Sequence, residues 1–170
     1  TFTLLLLFLG YTAYSEGISL NQGVWFSGYV FTLFLCVVLH EYGHAIAAKK
    51  YGVNTKDIIL SPIGGVARLE KLPEKPKQEM VIAFAGPAVN VVIAILVGVV
   101  SFFVLDESIL KSDFDILRIK GINDFLVFLL ALNVMLFVFN LVPAFPMDGG
   151  RVLRSALAMK MGRVKATRIA

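Results

Sequence analysis

Four stretches of this chain carry no charged side chain: residues 1–15, 24–39, 80–105 and 125–147. That pattern leaves few folds open, because an α-helix needs about 20 predominantly apolar residues to cross a hydrocarbon core roughly 30 Å thick. Two of the runs exceed that length, and the run at 24–39 reaches it if the helix continues past Leu39. The 170 residues are 58% hydrophobic and 16% charged, against about 25% charged in an ordinary soluble domain. Core helices of a soluble protein also give charge-poor runs, but three longer than 20 residues with a consistent topology argue for membrane spans. A single cysteine excludes a disulfide framework, and two histidines exclude a histidine-rich tract.

The first run, Thr1 to Tyr14, is short for a span, lacks the basic flank of a signal peptide and starts without methionine. It reads as a span clipped at its front. The second span is expected over Val24–Ala48, interrupted by His40, Glu41 and His44 and ended by Lys49 and Lys50; the third over about Met80–Leu105; the fourth over about Phe125–Val142, where prolines begin. Lysine and arginine mark the cytoplasmic side. Segment 49–79 has seven basic and four acidic residues, and segment 149–170 has six basic and no acidic ones, so both are expected inside. Connections 15–23 and 106–124 together hold three basic and six acidic residues and are expected outside. The net charge of +4 is therefore sorted by membrane side rather than gathered into a nucleic-acid-binding patch. Within the inner loop, Leu72–Glu79 reads as a solvated linker, and the apolar arms around Pro62, Gly64 and Gly65 read as a β-hairpin near the inner interface.

Both histidines fall in His40-Glu41-Tyr42-Gly43-His44, near the inner end of the second span. Residues i and i+4 of a helix lie about 40° apart in azimuth and about 6 Å apart along the axis, so the two imidazoles share a face and can share a metal. This is the spacing in which two histidines hold zinc and the intervening glutamate is a general base. The motif lies roughly 13 Å from Lys49 along the helix, within the membrane but off its centre. Ionisable groups in hydrocarbon cost a few kcal/mol each unless paired, ligated or hydrated. The plainer alternative is a pair of core histidines hydrogen-bonded to another helix, with Glu41 in a salt bridge. A catalytic zinc commonly has three protein ligands. Asp148, after the helix-breaking Pro143 and Pro146, is the candidate third; its alternative role is N-cap of a helix over Gly149 to about Met161. Cys36, one turn before His40, is a competing ligand whose plainer role is packing.

These residues resemble the site-2 protease family of intramembrane zinc metalloproteases. The resemblance rests on Leu39-His40-Glu41-Tyr42-Gly43-His44 and, with 95 residues between, Asn140-x-x-Pro143-x-x-Pro146-x-Asp148-Gly149. Gly86-Pro87-Ala88-Val89-Asn90 is similar to the pattern of the family's middle core helix, although a proline kink with one interhelical hydrogen bond from Asn90 would leave the same trace. The resemblance covers roughly residues 24–150. It implies that His40, His44 and Asp148 bind one catalytic zinc ion, that Glu41 is the general base, and that Asn140 orients substrate or stabilises the oxyanion. It further implies that Ile63, Gly64, Gly65 and Val66 form a hairpin edge that pairs with an unwound substrate, for which a plain surface hairpin is the alternative, and that Gly86, Pro87 and Asn90 support the core.

The expected fold is therefore an all-α polytopic membrane protein with at least four transmembrane helices, a three-helix catalytic core and a small cytoplasmic-side β-hairpin. One transmembrane protease domain fills residues 1–170, with its core at about 24–150 and the chain truncated at both ends. The inner loop of 31 residues is too short for the inserted peptide-binding domain of some members. The expected function is hydrolysis of peptide bonds in or near the transmembrane segment of membrane-bound regulators, in a multi-pass protein of a prokaryotic cell membrane. The lipid bilayer and a transmembrane protein substrate are the expected partners; nucleic acid is not, and the sequence is silent on oligomeric state. The rival readings are a zinc transporter using the same three ligands and a catalytically inactive protein that binds membrane helices.

Overall fold

The computed structural model describes residues 20–61, 64–70, 73, 75–104, 121–144 and 146–169, together with Tyr11 and Ser15. The expected first span, Thr1 to Tyr14, lies outside the described residues apart from Tyr11. In chain order the elements are helix α1 (Leu20–Lys50), strands β1 (Thr55–Ser61) and β2 (Gly64–Leu69), and helices α2 (Pro76–Val104), α3 (Ile122–Asn140), α4 (Asp148–Met161) and α5 (Arg163–Ile169). Three helices among the described residues, α1, α2 and α3, are long and apolar enough to cross a membrane. At about 1.5 Å per residue, the 31 residues of α1 and 29 of α2 exceed a bilayer core, while the 19 of α3 just match it.

The burial pattern is inverted relative to a soluble protein. Phe102 and Phe103 are 83% and 78% exposed, whereas His40, Glu41, His44, Asn90, Asn133 and Asp148 are all buried. Helices that present apolar side chains to lipid have no hydrophobic gain from packing against one another, so polar side chains and close backbone approach hold them together. Helix α2 is the middle of the arrangement and packs against α1, α3 and α4. At the end away from the hairpin, Tyr29 of α1 meets Phe125 and Phe128 of α3 with ring centroids 5.4 and 4.4 Å apart. A small apolar cluster of Ala48, Val53 and Ile82 closes the other end.

The hairpin pairs β1 and β2 antiparallel, Ser61 with Gly64 through Asp57 with Arg68, and a bulge between Thr55 and Asp57 follows. Asp57 and Arg68 carry a cross-strand ion pair, with Arg68 Nε 2.7 Å from Asp57 Oδ1. The hydrogen bond from Arg68 holds the Asp57 carboxyl below the usual carboxylate range. Both strands rest on α1.

One expectation needs correction, and one alternative falls away. The stretch Leu72–Glu79 is not wholly a solvated linker: α2 begins at Pro76, four residues before the expected start of the span, and Glu79 is 3% exposed. Proline suits the first position of a helix, where its missing N–H would have no partner anyway. Glu79 is buried because Arg154 of α4 pairs with it, and this partner is 75 residues away in sequence. The N-cap of α4 is Met147, so Asp148 is the first residue inside the helix and its carboxylate does not serve as the cap.

Candidate metal centre

His40 and His44 stand on one face of α1 as their spacing requires, and α4 brings Asp148 to them from more than a hundred residues away. Asp148 Oδ2 lies 3.1 Å from His40 Nε2 and 2.9 Å from His44 Nε2, and the two Nε2 atoms are 3.2 Å apart. All three residues are buried and form a group able to hold a metal ion.

What faces inward at this triangle is set by what lies behind it. His44 Nδ1 is 2.7 Å from the carbonyl oxygen of Ile82, which can only accept, so Nδ1 carries the proton. His40 Nδ1 is 2.6 Å from Asn90 Oδ1, again an acceptor. A neutral imidazole has one N–H. With both protons on Nδ1, each Nε2 turns a lone pair inward, toward a carboxylate oxygen that is itself an acceptor. A single proton could relieve only one edge of such a triangle; a cation relieves all three. Tetrahedral zinc, with bonds of about 2.0–2.1 Å, spaces its ligand atoms roughly 3.3 Å apart, within a few tenths of an ångström of these edges. The donor set therefore fits a divalent metal, and the contacts to Nδ1 are of the kind that orient metal-bound histidines.

Helix α2 supplies this backing because of its own sequence. A Cβ on Gly86 would stand 2.2 Å from His44 Nε2 and 2.7 Å from His40 Nε2, so only glycine lets α2 approach the imidazoles. Pro87, inside the helix, cannot donate to the carbonyl one turn back. The intrahelical bond it removes is the one to the Ala83 carbonyl, next to the Ile82 carbonyl that serves His44. Gly65 plays the corresponding part for the hairpin: its Cβ would lie 2.6 Å from Glu41 Cγ and 3.1 Å from Glu41 Oε1. Strand β2 thus runs across Glu41, which is 8% exposed.

The structure brings His40, His44, Asp148, Glu41, Gly65, Gly86, Pro87 and Asn90 to one place. Asn140 is at the end of α3 with its amide donating to the Leu136 carbonyl, 2.8 Å away in its own helix. Gly64 and Val66 belong to β2, and Ile63 lies outside the described residues. Cys36 is buried and accepts from Asn133 Nδ2 at 3.5 Å; it is not among the metal-holding group. Sequence reasoning missed three participants: the Ile82 carbonyl, Asn133, and Arg151, whose Nη1 is 3.5 Å from Asp148 Oδ1. An asparagine inside an apolar span was a signal for Asn133. A backbone carbonyl leaves none.

Comparison with known proteins gives a consistent result. The sequence profile of peptidase family M50 matches residues 28–170. The chain is 46% identical over 151 residues to a zinc metalloprotease of Methanocaldococcus jannaschii, covering 89% of this chain and 40% of that protein. It is 28% identical over 139 residues to the stage IV sporulation protein FB of Bacillus subtilis, covering 81% of this chain and 43% of that one. The chain thus spans about two fifths of the length of these curated relatives. Among solved structures, the site-2 protease from Methanocaldococcus jannaschii superposes with a TM-score of 0.65 at 39% identity, over 99% of this chain and 69% of that one.

Proposed function

The chain belongs to peptidase family M50, the site-2 proteases, and from that premise we propose that it is an intramembrane zinc metalloprotease. The observation that carries the reading is the triangle of His40 Nε2, His44 Nε2 and Asp148 Oδ2, three acceptor atoms turned toward one point in a membrane-spanning bundle. These residues hold the zinc ion, which when bound supplies Lewis-acid polarisation of the scissile carbonyl and makes a nearby water more acidic.

Glu41 is the general base. Hydrolysis joins the oxygen of water to the carbonyl carbon and breaks the bond from that carbon to nitrogen. Glu41 takes the proton released by the water and returns it to the leaving amine. Strand β2 crosses Glu41 at Gly65, so an extended peptide added along Gly64–Val66 lies next to the base. A helical substrate conceals its carbonyls in its own hydrogen bonds and must be unwound before attack; pairing with a strand edge repays the backbone bonds that unwinding breaks. Asn140 orients substrate or steadies the oxyanion, and for this its amide leaves the Leu136 carbonyl.

The substrate is the membrane segment of a single-span or membrane-tethered regulatory protein. The chain is a single transmembrane protease domain with its core at about residues 24–150 and at least four spans, in a prokaryotic cell membrane. Residues 49–79 and 149–170 face the cytoplasm, in keeping with their excess of basic side chains.

The test compares wild type with Glu41→Gln, measuring bound zinc and cleavage of a candidate membrane substrate. The expected result is equal zinc in both and cleavage only in wild type. Cleavage that survives the substitution refutes the proposal, as does a folded wild type that takes up no zinc. Zinc that crosses the membrane without proteolysis would instead identify a transporter.

A further inference from the structure

The geometry points to Asn133 of α3 as a positioning residue for the metal centre: it sets which ring nitrogen of His40 carries the proton, and so leaves Nε2 as a lone pair toward the metal. This rests on the reading of His40 as a zinc ligand. Asn133 is fully buried, as is Asn90 of α2; Asn90 meets His40 at Nδ1, the ring nitrogen away from Asp148, and Asn133 meets Asn90. They form instead a directional chain. It begins at the carbonyl oxygen of Leu129, one turn back along α3, which can only accept; Asn133 Nδ2 donates to it at 2.8 Å. That bond turns Asn133 Oδ1 toward α2, where it accepts from Asn90 Nδ2 at 3.2 Å. Asn90 has then committed its NH2 group to α3, so its Oδ1 faces α1, 2.6 Å from His40 Nδ1. Nδ1 must therefore carry the imidazole proton, and Nε2 is left as a lone pair toward Asp148.

The direction of each amide follows from the one before, and the series is anchored at a backbone carbonyl that cannot be reversed. Remove Asn133, and the Asn90 amide is free to present NH2 to His40. Nδ1 would then be the acceptor and Nε2 the protonated nitrogen, which cannot ligate. His44 is independent of this chain, because its Nδ1 partner is the Ile82 carbonyl on α2. The two histidines of the chain thus receive the same tautomer by separate routes, one through a main-chain oxygen and one through two side-chain amides on two helices.

The test uses the chain labelled with 15N histidine, compared as wild type, Asn133→Leu and Asn133→Asp, in which the neutral carboxylic acid keeps an O–H for the Leu129 carbonyl and an acceptor oxygen toward Asn90. With two histidines, four ring nitrogens are observed. In metal-free wild type both histidines are expected as the Nδ1–H tautomer. In Asn133→Leu, His40 is expected to become a mixture of tautomers while His44 is unchanged, and zinc affinity measured against a competing chelator falls about 10- to 100-fold. Asn133→Asp stays within about threefold of wild type in affinity, because the acceptor that orders Asn90 is retained. Wild-type His40 found as Nε2–H overturns the inference, whatever the variants do. So does Asn133→Leu with an unaltered His40, or with both histidines altered together, which is loosening of the bundle rather than loss of a relay. Failure of wild type to bind zinc would count against the protease reading and leave the tautomer measurement to decide this one.

Discussion

Gly86→Ala tests the closest glycine contact among the described residues. The added methyl carbon would stand 2.2 Å from His44 Nε2, 2.6 Å from His44 Cε1 and 2.7 Å from His40 Nε2. Non-bonded carbon contacts settle at about 3.5–4.0 Å, so the overlap with His44 is roughly 1 Å. The imidazole cannot swing away cheaply, since its Nδ1 is held by the Ile82 carbonyl at 2.7 Å on the same helix that carries the methyl. Either α2 moves off α1 or both ring nitrogens leave their places. Metal–ligand distances tolerate only about 0.2 Å, several times less than this displacement. Overpacking alone costs about 1–3 kcal/mol of stability. Zinc affinity is expected to fall at least ~100-fold, equivalent to about 2.8 kcal/mol, and cleavage with it. The assay is zinc content after equilibration with a competing chelator, measured on purified protein whose helicity is checked by circular dichroism. Gly98→Ala on the same helix is the control, because its nearest neighbour, Leu130 Cδ1, would be 4.0 Å from the new carbon. A Gly86→Ala variant with wild-type zinc affinity would refute the account of why α2 lies where it does.

Gly65→Val should keep its zinc and lose on the order of 100-fold in kcat/KM, since a displacement of about 1 Å at a reacting group costs that much; full cleavage activity in this variant would show that β2 does not position Glu41. Asp148→Asn should weaken zinc retention in a chelator titration while Cys36→Ala leaves it unchanged, and the reverse result would exchange their roles. Arg154→Met strands the buried carboxylate of Glu79 and should cost about 3 kcal/mol in reversible unfolding in detergent, the low end for a broken buried pair because the Arg154 side chain is 26% exposed. Adding Glu79→Gln should recover most of that loss, and no recovery would show that the pair is not the cause.

The metal-site residues were legible because hydrocarbon makes ionisable side chains conspicuous. His40, Glu41 and His44 interrupt an otherwise apolar run, and their spacing carries its own geometry. Asp148 was legible as a member of a small set of candidates, and its competing role as helix cap was settled only by the placement of Met147 in that position. Glu79 was misjudged for a physical reason: a glutamate in a lysine- and proline-rich stretch has the composition of a solvated linker, and only the arginine from α4 takes it out of water. Asn133 stands in the middle of α3 among leucines and phenylalanines, where an amide signals a buried partner without naming it. The hairpin was legible from Pro62, Gly64 and Gly65 and the apolar arms on either side of them. That β2 lies against Glu41 was not, because contact between a strand and a helix depends on how the bundle packs.

The distance in sequence between the two halves of the metal centre bears on how such a protein comes to exist. His44 and Asp148 are 104 residues apart, and chains are synthesised at roughly 5–20 residues per second. The histidine helix is therefore made on the order of 5–20 s before the aspartate that completes its ligand set. During that interval α1 can enter the bilayer with its imidazoles and Glu41 in place but without the third ligand. A three-ligand site that draws one ligand from α4 is incomplete until α4 has been made and has docked, so under the proposed function the centre stays inert through that interval.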